Sequence, residues 1–152
     1  MTLKAIPLIF LLALFFFCVA CSEDPACNQE LPYDSLSIGF YDDETFEKVS
    51  IKYELILARG SDSILYDSED SIQVFNFPMN PSAFEVTFRF VTGVRIDSIV
   101  LSYDKQLEWL SEECGPNFRY SGLSIVDHSF DSARLINSEF DLEIDENIRV
   151  YN

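Results

Sequence analysis

The residues of this 152-residue chain whose types invite chemistry are four cysteines, a single histidine and 26 acidic side chains. Cys18 and Cys21 stand three residues apart where the apolar run Phe15-Phe16-Phe17-Cys18-Val19-Ala20 gives way to Cys21-Ser22-Glu23-Asp24. A zinc site needs further donors at short spacing, and neither a histidine nor a second cysteine pair lies nearby. The chemistry this position fits is processing. Met1 to Lys4 carries one lysine, and Ala5 to Ala20 is sixteen residues without a charge. That is shorter than the ~20 apolar residues of a membrane-spanning helix and matches the apolar region of a secretory signal. Cleavage needs a small residue before the cut. Ala20 satisfies this before Cys21, whereas Phe17 before Cys18 is too bulky, so Cys21 is the expected site of lipid attachment. The position three before Cys21, ordinarily leucine in such a signal, is Cys18. A plain secretory signal and an uncleaved anchor helix are the alternatives.

A thioether-linked diacylglycerol with an N-acyl chain on Cys21 would anchor the chain without spanning the bilayer. One acyl chain binds only marginally, but three, at about 0.8 kcal/mol per buried methylene, do not let go. Cys27 and Cys114 would then remain in a compartment that permits disulfides. A bridge between them would close a long loop worth about 4–5 kcal/mol in the chain-entropy account. Two buried free thiols are the alternative.

Removing residues 1–20 takes away Lys4 and no acid, moving the formal charge from −16 to −17. Phosphate backbones are bound by Lys and Arg, so nucleic acid is not an expected partner. Such charge serves solubility and mutual repulsion first.

The elements that would position any site read as β. Residues 21–33, containing Ser22-Glu23-Asp24-Pro25 and Leu31-Pro32, form a polar tether with no periodicity, and a single domain is expected over 34–152. Leu36, Ile38 and Phe40 alternate with polar or small neighbours; so do Val49 to Leu57 and Phe84 to Phe90, the two-residue period of a strand with one buried face. Shorter strands are expected at Ser63–Tyr66, Ile72–Phe77, Ser98–Tyr103, Gln106–Leu110, Arg119–Val126 and Ile148–Tyr151. Gly, Pro, Asn and Asp clusters separate them. Phe130, Ala133 and Leu135 give Ser129–Ser138 a helical spacing. About eight short strands without a repeat predict an all-β, two-layer antiparallel sandwich of the Greek-key type, with a small barrel as the alternative.

These features together resemble a family of small envelope lipoproteins of unknown function from Bacteroidetes. The resemblance lies in Cys21 with its acidic follow-on, Cys27, Phe40-Tyr41-Asp42, Phe77-Pro78, Ser111 through Cys114-Gly115, and Asn147-Ile148-Arg149-Val150-Tyr151. It implies an outer-membrane anchor, on the periplasmic or the surface face, and a Cys27–Cys114 pairing. It also implies an outer-membrane protein as partner, and it brings no catalytic residue or cofactor.

Weighed for catalysis, Val126-Asp127-His128-Ser129 offers an acid, a base and a hydroxyl. Sequence neighbours do not form a triad, and no nucleophile elbow or phosphate-binding glycine loop accompanies them, so His128 is expected in a loop and the chain is expected to be non-enzymatic. The acidic groups Asp42-Asp43-Glu44, Asp67 to Asp70, and Asp141, Glu143, Asp145 with Asn147 offer oxygen donors for calcium, but none has the spacing of a twelve-residue calcium loop. On a strand the last set would form a solvated face opposite Leu142 and Ile144. Tyr33, Tyr41, Tyr66 and Trp109 would suit stacking on a sugar, though aromatics at strand spacing more often belong to a core. The reading that remains is a tethered binding or structural module, with no metal and no cofactor.

Overall fold

The computed structural model describes residues 35–59, 63–111, 115–140 and 145–152. Their elements are β1 (Ser35–Tyr41), β2 (Leu55–Arg59), β3 (Ser63–Tyr66), β4 (Val74–Pro78), β5 (Glu85–Val91), β6 (Ile96–Ser111), β7 (Gly115–His128), β8 (Ser132–Leu135) and β9 (Ile148–Tyr151). They form a four-stranded sheet of order β4-β1-β9-β8 and a five-stranded sheet of order β3-β2-β5-β6-β7. The two sheets pack face to face as an all-β sandwich, and neither closes into a barrel.

The packing follows from the alternation. Leu36, Ile38 and Phe40 from β1, Ile148 and Val150 from β9, and Val86, Phe88 and Phe90 from β5 all turn into one core with Ile56, Ile99 and Leu101. Aromatic rings fill its centre. Phe90 lies with its ring 5.9 Å from Phe40, 5.3 Å from Tyr53, 5.8 Å from Phe77 and 5.2 Å from Phe130. Tilted and edge-on rings of this kind satisfy the aromatic quadrupole while excluding water.

Pairing is antiparallel throughout except between β1 and β9, which run parallel from Ile38↔Ile148 to Tyr41↔Tyr151. The C-terminal strand thus enters the sheet between β1 and β8, alongside the strand that opens the described fold, a placement that no local pattern encodes.

Three expected elements differ. Ser129–Ser138 contains β8 instead of a helix. Ser132, Ala133, Arg134 and Leu135 pair in order with Tyr151, Val150, Arg149 and Ile148, so a neighbouring strand outweighs a weak local spacing. The run from Val49 to Leu57 hydrogen-bonds as a strand only from Leu55; before that it holds one isolated bridge, Ile51↔Ile72. Ser98–Tyr103 and Gln106–Leu110 are one sixteen-residue strand, β6, because Asp104 and Lys105 still pair with Ser121 and Tyr120 of β7. A register shift between Ser102 and Asp104 interrupts that ladder. Gly122 absorbs it at φ 62°, where an added Cβ would lie 2.9 Å from Asp104 Oδ2, so glycine is required twice over.

Candidate functional site

The two sheets present opposite kinds of outer surface. On the four-stranded sheet, Gly39 faces outward with no side chain, and the carboxylate of Glu146 occupies the space: a Cβ on residue 39 would sit 2.5 Å from Glu146 Oε1. Glu146 is 5% exposed. Its charge is met on three sides. Lys48 Nζ pairs with Oε1, the Tyr41 hydroxyl donates to Oε2 at 2.7 Å, and Arg149 Nε donates to Oε2 at 3.0 Å. Burial pushes the Glu146 pKa up, but hydrogen bonds from Lys48, Tyr41 and Arg149 together outweigh it and leave the carboxyl below its ordinary value. Burial and the donated bond to Glu146 raise the Tyr41 hydroxyl in turn. Arg149 and Lys48 also lie over the Tyr41 ring at 5.0 and 5.8 Å, and Arg134 lies 5.4 Å from the Tyr151 ring. This is an ionic lock, with both hydrogen bonds on Oε2 and the Lys48 ion pair on Oε1, that ties β9 and the residues after β1 across the face of β1.

A second buried acid, Asp97, closes the end of the sandwich. Its Oδ1 accepts from Arg95 Nε at 2.8 Å and from Ser129 Oγ at 3.2 Å, and Arg95 reaches on to Asp131 at 3.2 Å. His128 ends β7 as the partner of Ile99, a strand terminus where a loop was expected, and its Nδ1 lies 3.1 Å from the Phe130 carbonyl. The Ser129 hydroxyl donates to Asp97 and Asp127 Oδ1 accepts from the His128 backbone N–H at 2.9 Å, so these contacts lead the Asp127, His128 and Ser129 side chains to separate partners and not to one another as acid, base and nucleophile.

The acidic groups hold their own turns. Asp42 Oδ1 accepts from Thr45 N at 2.7 Å, Thr45 Oγ1 at 2.8 Å and Glu44 N at 3.1 Å, and the Thr45 backbone bond leads the forces that lower its pKa. Asp145 is exposed, but Asn147, expected on a solvated face, is 3% exposed. Its Oδ1 accepts from Ser37 N at 2.9 Å and its Nδ2 donates to Glu139 O at 2.8 Å. An amide that joins two backbone segments belongs inside. Among the described residues no three His, Cys, Asp or Glu side chains converge as a metal site, and no helix is long and apolar enough to cross a membrane.

The five-stranded sheet carries an aliphatic patch on its outer side at the β2–β3 edge and the β5–β6 turn, next to a polar remainder in which Glu85 pairs with Ser102, Arg89 with Ser98 and Val100 with Asp127. Residues paired across antiparallel strands share a side, so with Ile56, Phe88, Phe90 and Ile99 in the core, their neighbours face out: Leu55 opposite Val91, Leu57 opposite Arg89, Val91 opposite Ile96, Thr87 opposite Val100. Ile64 joins them opposite Leu57. Ile64 and Ile96 are 61% and 56% exposed, and Val94 in the β5–β6 turn is 98% exposed. Arg59 and Arg89 stand among these aliphatic side chains. An antiparallel sheet with a solvated face ordinarily alternates apolar-in with polar-out; here both sides of β2 are aliphatic. The odd positions of Val49 to Leu57 by themselves suggest a single buried face. The signal that points to this second face is Leu55-Ile56-Leu57, three consecutive aliphatics in a strand that is not the middle of a parallel sheet.

Of the expected aromatics, Tyr41 and Tyr66 join internal ring contacts, with Tyr66 5.5 Å from Phe75, and Trp109 is 66% exposed. Tyr33, Ala20, Cys21, Cys27, Cys114, Asp141 and Glu143 lie outside the described residues. A family model described as a family of unknown function, DUF6452, matches residues 49–152. No curated protein and no solved structure matches the chain.

Proposed function

The chain belongs to a family of unknown function, DUF6452, and from that premise we propose that it is a non-enzymatic lipoprotein of the outer membrane that binds another membrane protein. In this reading the signal is cut after Ala20, Cys21 carries the lipid, residues 21–33 are the tether, and Cys27 is bridged to Cys114. The apolar run before Cys21 and the acidic tract after it support the anchor. The single observation that supports binding is the outer face of the five-stranded sheet, where Leu55, Leu57, Ile64, Val91 and Ile96 lie together on a chain of formal charge −16. An exposed aliphatic patch rimmed by polar residues on a strongly charged protein supports a contact surface. Arg59 and Arg89 fit it to a protein partner whose own apolar patch is edged by acids.

The anchor has a direct check. Cys21→Ala is expected to move the protein from the membrane pellet to the soluble fraction of lysed cells; a variant still pelleting with lipid would sink the lipoprotein reading. The binding face is tested by cross-linking in living cells followed by capture of the protein. Ile64→Asp/Ile96→Asp places two charges in the proposed contact, where a well-buried anchor is worth about 2 kcal/mol or more, over ten-fold in affinity. Loss of the captured partner at an unchanged melting temperature is the expected outcome. Undiminished capture by the folded variant would exclude this face.

A further inference from the structure

The β6–β7 hairpin runs on past the body of the sandwich as an arm. β5 pairs with β6 only as far as Glu85↔Ser102; from Asp104 to Ser111 the strand partners of β6 all belong to β7. Two-residue alternation gives this arm two unlike sides. Leu107↔Phe118 and Trp109↔Pro116 make one, and Asp104↔Ser121, Gln106↔Arg119 and Glu108↔Asn117 make the other. On the apolar side Leu107 and Trp109 are 65% and 66% exposed, and Pro116 is exposed with them.

The arm stands at the end of the sandwich where the described fold begins. Ser35 pairs with Pro78, and the turn that follows Pro78 meets the base of the arm. There the Tyr103 hydroxyl donates to Asn80 O at 2.9 Å, and Lys105 Nζ donates to Pro81 O. Tyr41 at the far end of β1 pairs with Tyr151, so β9 finishes at the opposite end. The aliphatic patch lies elsewhere, at the β2–β3 edge and the β5–β6 turn. An anchor before Ser35, whatever path the intervening chain takes, joins the body at the end that carries the arm. We propose that the apolar side of the arm docks on the headgroup region of the membrane that holds the anchor, with Leu107 and Trp109 in contact with lipid. This placement rests on the anchor reading given above.

The chemistry of the arm fits a lipid boundary. Indole is apolar in its body and carries an N–H at its edge, which suits the layer between headgroups and acyl chains, where tryptophan is enriched. Such a boundary is apolar on one side and wet on the other, and the register of the hairpin supplies the same two sides. Lys105 to Ser111 spans about 20 Å at strand rise, long enough to bring Leu107 and Trp109 clear of the sandwich. A second copy would bring another −16 of formal charge to the same place, which opposes self-association. The same charge is repelled by anionic headgroups, so the surface that fits is zwitterionic.

Trp109 is the single tryptophan of the chain and so reports on its own surroundings. In the test, the full chain is expressed, purified in detergent and reconstituted with phosphatidylcholine vesicles, and quenching of Trp109 by phosphatidylcholine brominated on its acyl chains is measured. Flotation with the vesicles is expected, with blue-shifted emission and bromine quenching at every protein-to-lipid ratio. Leu107→Asp, at an exposed position, is expected to keep the circular dichroism spectrum and the flotation while bromine quenching falls about two-fold or more, because a carboxylate on the apolar side draws the arm into water. A protein that floats with Trp109 unquenched overturns the docking and leaves the anchor standing, whereas a protein that does not float overturns both. Quenching that Leu107→Asp retains in full overturns the docking as well. A blue shift that grows with protein density and brings no bromine quenching assigns the arm to a second copy and overturns it equally.

Discussion

Replacing both cations around the buried carboxylate, as Lys48→Met/Arg149→Met, is expected to destabilise the protein by about 3–5 kcal/mol near pH 8, the cost of leaving a buried charge unpaired. Glu146→Gln, which removes the charge and keeps the shape, is expected to cost only about 1–2 kcal/mol, the range for weakened buried hydrogen bonds. The asymmetry comes from exposure. The Glu146 side chain is 4% exposed, whereas those of Lys48 and Arg149 are 36% and 40% exposed. The cations regain water when the acid is gone; the acid regains nothing when they go. Adding Glu146→Gln to the double variant is therefore expected to restore most of the loss, the non-additivity of a shared network.

The pH dependence separates the two states. In the parent protein the Glu146 carboxyl sits below its ordinary 4.5. Its contribution is thus present above that value and lost as pH falls through the lower folded one. In the double variant burial dominates and lifts the folded pKa above 4.5. The penalty is then full at high pH and relieved as pH falls toward 4.5, where the carboxyl protonates. Urea unfolding between pH 3 and 8 reads the opposite slopes, the parent's below 4.5 and the double variant's above it. A double variant within about 1 kcal/mol of the parent at pH 8 would show water reaching Glu146 and refute the lock, since surface pairs are worth no more than that. Gly39 belongs to the same device, because any side chain there takes the space of the carboxylate.

Phe90→Ala is the other large effect, at about 3–5 kcal/mol by urea or thermal unfolding. Phe90 is 0% exposed and touches rings from β1, β4, the residue-53 segment and the approach to β8. Truncation leaves a void lined by four rigid aromatics, which collapse poorly onto it. Phe84→Ala provides the comparison from the same stretch of sequence. Phe84 lies one residue before β5 and is 61% exposed, with Lys105 Nζ 4.3 Å from its ring centre. Its loss is expected to stay within about 1 kcal/mol, the scale of an exposed cation–π contact. A Phe90→Ala cost below about 1.5 kcal/mol would mean that the two sheets close over the gap, and the aromatic cluster would not be the centre of the core.

Period-2 alternation makes the strands legible from residue types and spacing alone. Ser63–Tyr66 and Ile148–Tyr151 match β3 and β9 residue for residue, and the inward set of β5 after Phe84 matches as well. That pattern is local, because successive side chains of a strand point to opposite faces whatever the strand pairs with. Residues whose roles depend on distant partners are not legible in this way. Asn147 and Glu146 read as members of an acidic, solvated run, and only the neighbouring Ser37 backbone, Gly39, Lys48 and Tyr41 turn them inward. β8 reads as helix because the partner that makes it a strand lies thirteen or more residues along the chain.

The amino-acid order determined the β content, the two-layered core and the sixteen-residue uncharged run before Cys21, since each is written in the types and spacing of near neighbours. Only the tertiary structure decided that β9 runs parallel to β1, that Glu146 lies over Gly39 and that Leu55, Ile64 and Ile96 share an outer face. Those relations join residues far apart in the chain, where each pairing is chosen by the packing of the whole and no short stretch carries enough free energy to specify it.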